Sequence, residues 1–113
     1  MCSRNVYRSE LRSISTEART MKVGVLRVYF MILDAQSLKE KRVVLRSLKD
    51  RLLNKFNVSV AEIGCNDKWQ LGELGIATVA NDSKFVHSVL QEVKNFIQMN
   101  QAVRIIESDI EVF

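Results

Sequence analysis

Residues 23–33 read Val-Gly-Val-Leu-Arg-Val-Tyr-Phe-Met-Ile-Leu, and residues 37–46 read Ser-Leu-Lys-Glu-Lys-Arg-Val-Val-Leu-Arg. The first run is β-branched, aromatic and apolar almost throughout, the pattern of a central strand. Its alternate residues Leu26, Val28, Phe30 and Ile32 are apolar without exception and are expected to face helices. The interleaved set holds Arg27 and Tyr29 and is expected to face outward or toward a partner. After the turn Asp34-Ala35-Gln36, Ser37 is an N-cap with Glu40 in capping-box position. The helix is predicted to run to about Lys55. Leu38, Leu45, Leu48 and Leu52 form its buried stripe, joined by Val44 and Phe56.

The pattern continues outward from this strand–helix unit. Val58 to Cys65 is predicted as a second strand, Asn66 to Trp69 as a polar connection, and Leu71 to Ala80 as a third strand. The short connection makes an antiparallel hairpin. Asp82 is placed to cap a second helix, in which Val86, Val89, Leu90, Val93 and Ile97 point inward. Val103 to Phe113 is the last strand, with Ile106, Ile110 and Val112 on one side and Glu107, Asp109 and Glu111 on the other. The order β-α-β-β-α-β is that of a ferredoxin-like α+β sandwich. Right-handed crossovers place both helices on one face of a four-stranded antiparallel sheet of order 4-1-3-2, and leave the other face open.

A chain of 113 residues, 47% hydrophobic, accommodates one domain, here read as residues 21–113. Proline is absent and glycine is sparse, which excludes a low-complexity protein. A net charge of +4 permits nucleic acid or acidic partners without requiring them. Cys2 and Cys65 are not in metal-ligand spacing and make no disulfide framework, so a reducing, cytoplasmic setting is expected. No apolar run reaches membrane-spanning length. Residues 1–20 carry Arg4, Arg8, Arg12 and Arg19, and Met21-Lys22-Val23 looks like a natural beginning. We read 1–20 as a poorly ordered extension; a transit peptide is the other reading.

Several of these motifs, taken in order, resemble a known family. Val23 to Arg27, Ser37 to Arg42, Ala61-Glu62-Ile63-Gly64, Asp67-x-Trp69-Gln70, Glu73-Leu74-Gly75 and Asn81-Asp82 are similar to the YlxP-like bacterial proteins, the conserved domain of unknown function 503. The resemblance covers residues 21–113. It implies the ferredoxin-like fold and suggests a ribosome- or RNA-associated role. It implies no catalytic residue and no cofactor.

The residues themselves offer two functional surfaces. Lys39, Arg42, Arg46 and Lys49 fall at i, i+3, i+7 and i+10 and share one side of the first helix, with Lys41, Arg51 and Lys55 around the remaining solvent arc. Such a row can meet phosphates; it can also be an ordinary solvated face. Trp69, the single tryptophan, can stack on a base, anchor an interface or fold back over the sheet edge. The nucleic-acid reading therefore rests on Lys39, Lys41, Arg42, Arg46, Lys49 and Trp69. The second surface is the open sheet face, assigned Val25, Arg27, Tyr29, Glu73, Ile105 and Glu107, with Glu62 near Arg27. It fits a homodimer or a protein partner. His87 is expected to be exposed, and no triad, metal-ligand cluster or phosphate-binding glycine loop is visible. The leading expectation is a non-enzymatic RNA- or ribosome-binding accessory domain without metal or cofactor. The alternative is a protein-interaction or self-associating module.

Overall fold

In the computed structural model, which describes residues 20–113, the apolar run forms strand β1, Lys22–Ile32, and Leu26, Val28, Phe30 and Ile32 are buried as their alternation predicts. Helix α1 spans Leu38–Lys55. Ser37 Oγ accepts from the Glu40 amide at 3.1 Å, and the Glu40 carboxylate accepts from the Gln36 amide, so donors at the helix entry are satisfied reciprocally. Strand β2, Ser59–Gly64, and strand β3, Leu71–Ala80, form the hairpin. Helix α2, Ser83–Gln98, is capped by Asp82, whose carboxylate accepts from the Lys84 amide. Strand β4 is Val103–Val112. The predicted extension at 1–20 lies, apart from Thr20, outside the described residues.

The strands form one antiparallel sheet in the order β2-β3-β1-β4, the predicted order read from the other edge. The α+β, ferredoxin-like architecture holds. Leu45, Leu48 and Leu52 of α1 and Val86, Leu90, Val93 and Ile97 of α2 cover one sheet face, closing a core with Leu74 and Ile76 of β3. Gly24 permits the close seating of α2 on β1. A Cβ there would lie 2.2 Å from Val86 Cγ1 and 2.8 Å from Leu90 Cδ1.

Two β-bulges change which side chains face which way. In β4 the register slips opposite Tyr29 and Phe30, so that Tyr29 pairs with Glu107 while Phe30 pairs with Ile105. Ile105 therefore packs against the core, and Ile106 is the exposed residue. This corrects the assignment of Ile105 to the open face. In β2 the register slips between Glu62 and Gly64. Glu62 pairs with Leu74, a core residue, and turns to the helix side rather than joining Arg27, while Ile63 lies over Gly75. An extra residue in one strand breaks the two-residue alternation beyond it.

Candidate functional site

The basic side of α1 is built by helical spacing alone. At about 100° per residue, Lys39, Arg42, Arg46 and Lys49 fall within an arc of about 80°, and the row is about 15 Å long. Lys39, Arg42 and Arg46 are exposed and Lys49 is half-buried. Among the described residues, the ion pairs centre on Arg27 and Lys41, and none involves these four cations. Their positive charge is therefore uncompensated by direct contact. Arg42, Arg46 and Lys49 line a shallow recess of about 240 Å³ together with Asp50 and Glu62. The recess lies where α1 meets β2, an edge strand, so the cations flank a strand edge.

Lys41 does not belong to that row. It is 2% exposed, and its ammonium donates to the carbonyl oxygens of Cys65 and Lys68 at 2.5 Å each. Glu62 Oε1 lies 3.7 Å away. This corrects its assignment as a solvent-facing phosphate ligand. The reason is in the spacing: Lys41 precedes Leu45, Leu48 and Leu52 by four, seven and eleven residues and so lies on the buried stripe. The loop it grips turns sharply. Cys65 has φ 61°, the left-handed region, and its carbonyl is one of the two that the ammonium satisfies. Lys41 thus ties the β2–β3 loop to the first turns of α1. Trp69 follows in that same loop and is 42% exposed, so its ring is only partly covered by the fold.

Arg27 organises the open sheet face. Its Nη1 donates to Glu73 Oε2 at 2.6 Å and its Nη2 to Asp109 Oδ2 at 2.9 Å, with Glu107 Oε1 at 3.6 Å. The hydrogen bond to Glu73, then that to Asp109, holds the guanidinium charged well above its ordinary pKa. Asp109 was not singled out from the sequence; the antiparallel register of β1 with β4 sets it directly opposite Arg27. Val25, Tyr29 and Glu73 lie on the same face as predicted, whereas Glu62 does not. The sequence placed Arg27 beside Glu73, and the 2.6 Å contact bears that out.

His87 is exposed on α2. Among the described residues no group of three or more His, Cys, Asp or Glu side chains is placed to hold a metal ion. No described helix is long and apolar enough to cross a membrane.

Comparison with known proteins gives the family but no activity. The chain is 45% identical over 75 residues to the "Uncharacterized protein YlxP" of Bacillus subtilis (strain 168), covering 66% of this chain and 82% of that protein. Among solved structures it is similar to the de novo designed protein Foldit4, with a TM-score of 0.49 and 11% identity over 82% of this chain and 96% of that one. It is also similar to SnoaB, a cofactor-independent oxygenase from Streptomyces nogalater, with a TM-score of 0.42 and 14% identity over 81% of this chain and 90% of that one. The family described as "Protein of unknown function (DUF503)" matches residues 23–110, and the chain belongs to that family.

Proposed function

We propose that the protein is a non-enzymatic, cytoplasmic accessory domain that binds RNA, with ribosomal RNA the natural target class, through the basic flank of α1. One observation carries this reading. Lys39, Arg42, Arg46 and Lys49 share one side of a helix and take part in no ion pair among the described residues. Phosphate is the ligand that rewards such a row, because each contact releases a condensed counterion. Trp69 supplies an aromatic face for a base to stack on, in a loop that Lys41 fixes against α1. Asp50 and Glu62 share the recess with Arg42, Arg46 and Lys49 and oppose phosphate there.

Binding to ribosomal RNA fragments, measured by fluorescence anisotropy at low salt, tests the proposal. The wild type should bind, and Arg42→Glu with Arg46→Glu should bind at least tenfold more weakly. Equal affinity of the two proteins would remove the α1 flank from the interaction. A second reading, a protein-interaction module, is favoured by the exposed apolar residues of the sheet face and is taken up next.

A further inference from the structure

The side chains on the open sheet face line up across the strands. One row runs Ser59, Ala77, Val25, Glu111; the next runs Ala61, Gly75, Arg27, Asp109; a third runs Gly64, Glu73, Tyr29, Glu107. Four apolar residues on or beside these rows are exposed: Met31 at 39%, Ile63 at 51%, Val79 at 57% and Ile106 at 50%. The one arginine in the rows is already engaged by two carboxylates, so its charge needs no outside partner.

We propose that this face is a symmetric interface that a second copy of the chain covers. Area is the first reason. Three strands of ten or eleven residues and the six-residue β2, spaced about 4.8 Å apart, present roughly 600 Å² in projection on each copy. A pair would bury on the order of 1,200 Å², at the lower end of the range of stable, specific interfaces. Charge is the second. On this face β4 carries the acids Glu107, Asp109 and Glu111 and, opposite Met31, Arg104, all at one edge, while β2 at the other edge contributes Ser59, Ala61 and Ile63. A two-fold axis parallel to the strands sets each β4 over the second copy's uncharged β2 and each β1 over the second copy's β3. An axis across the strands would instead stack each β4, with three acids against one arginine, on the β4 of the second copy, and its net like charge opposes that. Shape agrees with the first choice, because Val25 on β1 then meets the small Ala77 on β3. The sheets pack about 10 Å apart, and the helices form the outer layers. Both α1 flanks then point away from the interface. Pairing is therefore independent of the RNA proposal, and the dimer carries two separate cationic rows.

Sedimentation equilibrium of the full chain from micromolar to millimolar concentration tests this directly. The wild type should sediment at twice the chain mass. Ala77→Arg, at the centre, and Val79→Arg, at an already exposed position, should each weaken association at least tenfold while circular dichroism stays unchanged. Arg46→Glu should leave association intact. A wild type that is monomeric throughout, or folded arginine variants that still pair, would overturn the interface; a face reserved for a different protein gives the first of these results. The axis has its own test in a Cys2→Ser, Cys65→Ser background. A short bismaleimide should join Ala61→Cys chains to Asp109→Cys chains and should not join Asp109→Cys chains to one another. The reverse pattern would reject the axis.

Discussion

Replacing Lys41 with methionine separates its two assigned roles, because methionine keeps most of the apolar stem and removes the ammonium. In the folded protein that ammonium is the donor to two loop carbonyls, those of Cys65 and Lys68. A buried acceptor left without a partner costs about 1–3 kcal/mol. Neighbouring Asn66, Asp67 and Lys68 are exposed, so water can reach part of the freed backbone and the lower half of that range applies to each carbonyl. Removing a buried ammonium also relieves a desolvation cost, which offsets part of the loss. The expected net destabilisation is about 2 kcal/mol. With a urea m-value of about 2 kcal/mol/M, the unfolding midpoint should fall by about 1 M. Arg42→Met, one residue along and exposed, should change stability by less than about 0.5 kcal/mol. Urea titrations followed by circular dichroism give both numbers. Similar midpoints for the two variants would refute the clamp. The RNA assay adds a second readout: Lys41→Met should leave the salt dependence of binding unchanged, since it contributes no phosphate contact.

Three further outcomes follow from the geometry. Gly24→Ala should destabilise the protein by about 1–3 kcal/mol in chemical denaturation, because the new methyl overlaps Val86 and Leu90. Arg27→Ala leaves Glu73, Glu107 and Asp109 facing one another without their cation, so the variant should be less stable than wild type at neutral pH. Thermal melts of the two proteins at neutral pH will show the deficit. Trp69 should report RNA binding by quenching of its fluorescence, and Trp69→Ala should lose about 1–3 kcal/mol of binding free energy.

What could be read from the sequence, and what could not, divides along physical lines. Strand β1 and both helices were legible because their apolar periodicity is strong and the helix caps, Ser37 and Asp82, are of the right type. Strand order followed from element order and handedness. Facing failed on β2 and β4 at Glu62 and Ile105, each beside a bulge. No residue type at Ile63 or Ile106 announces one, since a bulge depends on the partner strand. Lys41 is a different kind of miss. Its place on the leucine stripe was visible in the spacing, but its charge argued for solvent. A lysine is buried when its ammonium finds acceptors, and here those acceptors are backbone carbonyls of a loop more than twenty residues away. The row Lys39, Arg42, Arg46 and Lys49 was legible because surface helix positions need only the helix itself.

The salt dependence of RNA affinity tests the central claim most directly. With four phosphate contacts, the logarithm of the association constant should fall against the logarithm of salt concentration with a slope of about −3. Arg42→Glu with Arg46→Glu should roughly halve that slope or worse. A wild-type slope near zero, or one untouched by the double substitution, would contradict the assignment of α1 as the phosphate-binding element.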